Sequence, residues 1–282
     1  MSGTLQLPAP TWFVGCGNMG GAILDGWRMA EIDLSPVTAI RPSGKAIDDV
    51  RVVISVEEAG AAPKLVVLAF KPQKLDEIAP ELRQFLSAST VVVSVLAGVE
   101  VASLRQRFPG VGAMVRAMPN LPVAVRRGVT GLYSPDADER TREELNNLFS
   151  ALGFVMWMAD ESKLAALGSV AGAGPAYVAR FIAALTKAGE KRGLTEEVAS
   201  VIARETVLGT AWMAATNNED MVSIARRVAS PKGTTEAGLA VLDREQVLDD
   251  LIAVTIEAAA RRGAELAEEA KSPSLAETAR LS

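Results

Sequence analysis

Glycines 15, 17 and 20 in the run Gly15-Cys16-Gly17-Asn18-Met19-Gly20-Gly21 are spaced to bring a main chain against a pyrophosphate. The first allows a tight turn, the second lets the backbone approach the phosphates, and the third permits close packing of a helix on a strand. The run follows an apolar segment at 11–14 and opens an amphipathic one, so helix N–H groups face the phosphate charge. Gly15, Gly17, Asn18, Met19 and Gly20 are the candidate contacts, with Cys16 a small filler of the turn. After the next apolar run, where an NAD site carries a carboxylate, stand Arg41, Pro42, Ser43, Gly44 and Lys45. The Arg41 guanidinium and Ser43 hydroxyl suit a 2′-phosphate and favour NADP over NAD; the alternative is an ordinary solvated turn.

Further candidates follow the later apolar runs. Ala69 lies near the end of the run at 65–70 and Lys71-Pro72 directly follows it, so their backbone emerges where nucleotides lie in open α/β sheets. Lys71 there faces either a phosphate or solvent. Ala97-Gly98 and Met118-Pro119-Asn120 occupy analogous positions, and their lack of bulk fits a flat ligand. A different chemistry is offered by Ser230-Pro231-Lys232-Gly233-Thr234-Thr235, a polar loop running into an apolar helical stretch. Free N–H groups at Gly233, Thr234 and Thr235 would hold a carboxylate, and a threonine hydroxyl would hydrogen-bond a reacting nitrogen. Simple helix capping by Thr234 or Thr235 is the alternative. In Gly172-Ala173-Gly174-Pro175-Ala176-Tyr177, two glycines and a proline open a helix, admitting either a second helix or a ligand to the backbone.

The chain contains no histidine and one cysteine. Ser-His-Asp and Cys-His nucleophiles, imidazole acid–base pairs and His-ligated metals are therefore excluded, and no metal site is expected. A lone cysteine fits a reducing compartment. Lys and Arg number 29 against 34 Asp and Glu, without the basic excess that a nucleic-acid partner demands. Residues 1–10 lack the basic and apolar regions of a leader, and no run is long enough to span a bilayer. The expected location is the cytoplasm.

Positioning these groups requires two kinds of architecture. With 282 residues, 49% hydrophobic and 22% charged, the chain has room for about two compact domains. Short, mostly apolar runs at 11–14, 37–40, 65–70, 91–96, 111–115, 129–133 and 154–158, with a weaker one at 51–54, predict strands. Apolar residues at helical spacing occupy 19–29, 75–86, 101–108 and 139–152 between them. This alternation predicts an α/β, Rossmann-type doubly wound domain over residues 1–160 built on a parallel sheet. Residues 161–282 read as all-helical, with helices at 162–170, 175–192, 196–216, 219–228, 235–242 and 245–269, and Thr195 and Asn218 in N-cap positions. Helices this rich in alanine bury little area alone, which predicts a homodimer.

Together the segments GCGNMGGAI, Lys71-Pro72, MPNLP from Met118, GAGPAY from Gly172 and VASPKGTTEAGLAVLD from Val228 resemble the pyrroline-5-carboxylate reductase family. The resemblance spans most of the chain, and the last segment is the most specific. It implies NADPH-dependent reduction of the cyclic imine 1-pyrroline-5-carboxylate to L-proline. It also implies a carboxylate held by N–H groups of the loop containing Ser230, Lys232, Gly233 and Thr234, with Thr235 as the catalytic residue on the ring nitrogen. A helical dimerisation domain follows, and dimers often assemble into a decamer. The chain departs from the family pattern at Ala171 and Ala173, where serines are usual, at Lys232 in place of glycine and at Leu121 in place of threonine.

The missing histidines agree with imine chemistry, because an imine nitrogen is basic enough to arrive protonated and no strong general acid is required. A β-hydroxyacid dehydrogenase would need a lysine followed three residues later by asparagine. No lysine here has that neighbour, and Lys163 is followed by Leu164, Ala165 and Ala166. Other readings are a reductase of a related cyclic imine and a non-catalytic dinucleotide-binding regulator; the intact loop 230–235 argues against the latter.

Overall fold

A computed structural model describes residues 5–271. Residues 1–4, part of the segment inspected for a leader, and the polar tail beyond Lys271 lie outside the described residues. Compactness divides the chain into two units, one of residues 5–173 with 259–271 and one of residues 174–258.

The first unit is built on one eight-stranded sheet. Its strands are β1 (Thr11–Val14), β2 (Val37–Ile40), β3 (Arg51–Val53), β4 (Leu65–Leu68), β5 (Val91–Ser94), β6 (Ala113–Pro119), β7 (Gly128–Tyr133) and β8 (Gly153–Trp157). They lie in the order β3-β2-β1-β4-β5-β6-β7-β8, which places the point of reversal between β1 and β4. Alternation along the strands feeds two cores. Phe13, Val67, Val93 and Val115 face one side, and Trp12, Val66, Val92 and Met114 the other, all at most 1% exposed. Helix α1 (Asn18–Met29) and helix α4 (Glu139–Ser150) cover the first side, where Trp27 Nε1 donates to Leu148 O at 2.9 Å. Helices α2 (Leu75–Leu82) and α3 (Val101–Arg107) cover the second. A sheet buried on both faces explains why its strands read as continuous apolar runs.

The sheet differs from the all-parallel expectation at one junction. β6 extends to Pro119, past the predicted end at 115, and β7 pairs with it antiparallel, Met118 opposite Gly131; β8 then runs parallel to β7. The connection is a short turn at Leu121–Val125. A parallel crossover needs a dozen or more residues, so only a reversal fits.

Helix α5 (Glu161–Leu167) and a π-turn over Gly168–Gly172 complete this unit, together with the last turns of a long C-terminal helix. In the second unit, α6 (Gly174–Lys191) and α7 (Glu196–Asn217) form a hairpin in which Ala199 and Ala203 are buried. Thr195 caps α7 by accepting from the Val198 amide at 3.4 Å. Asn218 does not cap the next helix. It ends α7 in the left-handed conformation, φ 50°, and Asp220 caps α8 (Met221–Val228) by accepting from the Ser223 amide at 3.0 Å. Asparagine suits a left-handed C-terminal position as well as an N-cap, which is why spacing pointed to the wrong role. Helices α9 (Thr234–Leu242) and α10 (Val247–Lys271) follow.

Candidate active site

At the carboxyl end of β1 the Gly15 amide donates to Ile40 O at 2.8 Å, and its φ of +75° lies in the left-handed region. A Cβ there would stand 2.8 Å from the Ala69 carbonyl oxygen, so conformation and contact both require glycine. Gly20 is tight for a different reason: its Cβ would lie 3.1 Å from that of Ala69, where α1 crosses the end of β4. Around Gly17 there is open space, with nothing within 4 Å of a Cβ. It is the N-cap of α1, no side chain caps the helix, and no acidic residue occupies the first turn. The first helical bond is Gly21 N–H to Gly17 O, which leaves the amides of Asn18, Met19 and Gly20 without a helical acceptor. This is a fitting place for a pyrophosphate.

Arg41 and Ser43 stand at the end of the adjacent β2. Arg41 Nε donates to Ser43 Oγ at 3.1 Å, and the same hydroxyl accepts from the Lys45 amide at 3.4 Å. Gly44 closes the turn onto Arg41 O. Neither Arg41 nor Lys45 has an ion pair among the described residues. Burial pushes the Cys16 thiol above its ordinary range, and the Arg41 charge opposes that shift, so the guanidinium acts on the glycine loop across space. The positive charge, the hydroxyl and the uncapped helix are thus brought to one edge of the sheet.

Ala69 is buried, its amide bound to Val14 O at 2.9 Å, whereas Lys71 is exposed and precedes the turn Pro72–Lys74. Ala97 is exposed beyond β5. The close approach at Gly98 is made by α10, since a Cβ there would lie 2.9 Å from the carbonyl carbon of Leu266. A cavity of about 840 Å³ lies instead at the amino ends of β4, β5 and β6, against Leu65, Val91 and Ala113. It is at the wrong edge for a nucleotide, which binds outside the carboxyl ends of such strands.

Two features of this edge are not read from the sequence: the Arg116–Glu161 pair, and the side-chain bonds of Asn120, which the sequence places at the edge only as a residue of little bulk. Arg116, 6% exposed, pairs with Glu161 at 2.8 Å, and the same Glu161 oxygen accepts from the Val101 amide at 2.9 Å. Asn120, also 6% exposed, accepts from the Val129 amide at 2.8 Å and donates through Nδ2 to Ala171 O at 3.0 Å. A signal for the second existed: Pro175 has no N–H to return to the carbonyl four residues earlier, so Ala171 O needs another donor.

In the second unit, the loop before α9 is shaped by its own backbone. Lys232 has φ +59°, and its amide donates to Glu236 Oε2 at 2.6 Å. The Gly233 amide donates to Ser230 O at 2.9 Å, and a Cβ on Gly233 would collide with Ser230 Oγ. Gly233 is the N-cap and no side chain caps α9, so the hydroxyls of Thr234 and Thr235 are not used as caps. The expected amide set therefore changes by one member: Gly233 is engaged within the turn, and the amides at Thr234, Thr235 and Glu236 start the helix without helical acceptors. Thr235 is half-buried, Thr234 exposed.

Comparison with known proteins gives two family matches. Residues 161–266 match the pyrroline-5-carboxylate reductase dimerisation family, and residues 12–98 match a family described as NADP oxidoreductase, coenzyme F420-dependent. The pyrroline-5-carboxylate reductase of Pseudomonas aeruginosa is 36% identical over 267 residues, covering 91% of this chain and 96% of that protein. The reductase of Synechocystis is 36% identical over 262 residues, covering 90% and 96%. Among solved structures, the pyrroline-5-carboxylate reductase of Coxiella burnetii has TM-score 0.83 at 30% identity, covering 92% of this chain and 99% of that one. The pyrroline carboxylate reductase of Plasmodium falciparum with NADP bound has TM-score 0.82 at 24% identity, covering 92% and 98%, and shows the shared fold.

Proposed function

The chain belongs to the pyrroline-5-carboxylate reductase family, and from that membership we infer the NADPH-dependent reduction of 1-pyrroline-5-carboxylate to L-proline, the last step of proline biosynthesis. The enzyme is an oxidoreductase acting on a C=N bond. The observation that carries this reading is 36% identity over 91% of the chain, which takes in both units.

NADPH would be held by the amides at the start of α1, with Gly15, Gly17, Asn18, Met19 and Gly20 around the pyrophosphate and Arg41 and Ser43 on the 2′-phosphate. Ala69, Lys71, Pro72 and Ala97 would line the continuing edge, whereas Gly98 is taken up by its close approach to α10. The open space at Gly17 and the carboxylate-free pair Arg41–Ser43 fit that group. When bound, the reduced nicotinamide supplies a hydride equivalent to the imine carbon.

The chain's own task is to bind and orient the imine. Thr234 and Thr235 offer amides to its carboxylate, Lys232 adds a positive charge beside them, and Gly233 and Ser230 hold the loop in shape. The Thr235 hydroxyl, free of any capping bond, orients the ring nitrogen. No general acid is needed if that nitrogen arrives protonated, so positioning supplies most of the rate.

Homo-oligomerisation follows from the dimerisation domain at 161–266. It has a physical motive in exposed Phe181, Leu208 and Leu251, each more than half accessible. A decamer assembled from five dimers and a cytoplasmic location are the proposed assembly and compartment; among the described residues no helix is long and apolar enough to cross a membrane. The deciding experiment follows the absorbance of NADPH with authentic imine. Oxidation with proline as product is expected; nucleotide binding without oxidation would refute the assignment.

A further inference from the structure

Asn120 is engaged on every side. Its amide donates to Val129 O and its carbonyl accepts from the Val123 amide, while the side chain accepts from Val129 and donates to Ala171 O. One buried residue thereby ties the end of β6 to the start of β7 and to the π-turn at Gly168–Gly172. The bond to the turn compensates for Pro175, which cannot supply the helical N–H that Ala171 O would otherwise receive.

The position of this tie in the sheet is informative. Arg41 and Ser43 at the end of β2 lie on one side of the β1/β4 reversal, and a dinucleotide laid across that reversal must run its other half over β4, β5 and β6. Ser94 of β5 pairs with Arg116 of β6, so Ala97 and Pro119 each lie three residues further along, and Asn120 follows directly. The π-turn held by Asn120 therefore belongs to the nicotinamide half of the edge. Its Gly172 is exposed, with nothing within 4 Å of where a Cβ would stand. Single π-turns within helical runs concentrate at functional sites.

We propose that Asn120 is a positioning residue for hydride transfer: by holding the Ala171 carbonyl it fixes the glycine-bearing π-turn as a wall that sets the orientation of the nicotinamide ring. The inference rests on the reductase reading above. It requires that loss of the tie loosen the ring without releasing the nucleotide, whose phosphates are held elsewhere.

The test uses the full-length oligomer. Asn120→Asp keeps the size and the acceptor facing Val129 but replaces the donor to Ala171 with a second acceptor. Adding Pro175→Ala returns an N–H to position 175 that can satisfy the same carbonyl within the helix. For Asn120→Asp, turnover should fall about tenfold or more while the NADPH dissociation constant stays within about threefold. The emission gained by NADPH on binding should drop, and the isotope effect with NADPH deuterated at the transferred position should rise as chemistry becomes limiting. In the double variant thermal stability should return but turnover and emission should not, because the carbonyl is satisfied while the tie to β6 is still broken. Recovery of all three would reduce Asn120 to a fold-stabilising residue and overturn the proposal. So would unchanged emission and isotope effect in Asn120→Asp, or failure of both variants to fold. If the wild type itself does not oxidise NADPH with the imine, the reductase reading fails instead.

Discussion

The Glu161 carboxylate and the Arg116 guanidinium meet at 2.8 Å beneath the carboxyl edge of the sheet, and the same carboxylate oxygen takes the Val101 amide at the start of α3. The arginine side chain is 7% exposed and the glutamate 25%. One acidic residue at the head of α5 thus neutralises a buried strand cation and caps a second helix.

Glu161→Ala would strand that guanidinium and an orphan helix amide together. Removing one partner of a fully buried pair destabilises by roughly 3–5 kcal/mol, and the partial exposure of Glu161 reduces this to about 2–3 kcal/mol. Urea unfolding should report it, with Glu161→Gln recovering part of the loss. A midpoint equal to wild type in Glu161→Ala would show that the pair contributes nothing net.

The fingerprint glycines separate fold from binding. Gly15→Ala meets the Ala69 carbonyl at a positive φ and should destabilise by about 2 kcal/mol or more. Gly17→Ala has free space and a φ of −82°, so stability should stay within about 0.5 kcal/mol while NADPH affinity falls about tenfold or more. Thermal melts and fluorescence titration of the two variants should therefore rank them in opposite orders.

Arg41→Ala should raise the KM for NADPH about tenfold and leave that for NADH nearly unchanged, since only the former carries the 2′-phosphate. The salt sensitivity of the NADPH KM should fall in parallel. Equal effects on both cofactors would move Arg41 away from that phosphate.

These outcomes also mark what sequence alone could disclose. Gly15 and Gly20 were legible because a turn and a helix crossing require glycine at fixed offsets, and β1, β2 and β4 because both faces of each strand are buried. The direction of β7 was not, since alternation of side chains is the same in either sense; only the short stretch between Pro119 and Gly128 encodes the reversal. Asn120 was legible as an edge position, but its bond to Ala171, 51 residues away, was not. Asn218 misled because one side chain suits both ends of a helix. At the loop 230–235 the sequence left capping and anion binding open, and the uncapped Gly233 decides against capping.

Acid should weaken the fold through its helix caps. Hydrogen bonds from Thr141, Ser162 and Ser223 hold the carboxyls of Asp138, Asp160 and Asp220 below their ordinary range. A depressed folded-state pKa contributes stability that is present above the unfolded value, near pH 3.9, and is lost as pH falls through the folded one. Melting temperature should therefore decline below about pH 4, and less steeply in Asp138→Asn, which retains a neutral cap. Identical pH slopes for the two proteins would remove Asp138 from the account.

Thr235→Ala tests the substrate loop most directly. The hydroxyl makes no cap on α9, so its removal should move the melting temperature by no more than about 2 °C. If it orients the imine nitrogen, kcat/KM for 1-pyrroline-5-carboxylate should fall about 10- to 100-fold, with NADPH affinity preserved if the start of α1 holds the nucleotide as proposed. Thr235→Ser, which keeps the hydroxyl and loses only the methyl, should recover most of the rate. Thr234→Ala serves as the neighbour control, since it keeps the backbone amides at the head of α9 and removes a different hydroxyl. Equal losses in both variants would assign the effect to the shape of the loop and take the orienting role away from Thr235.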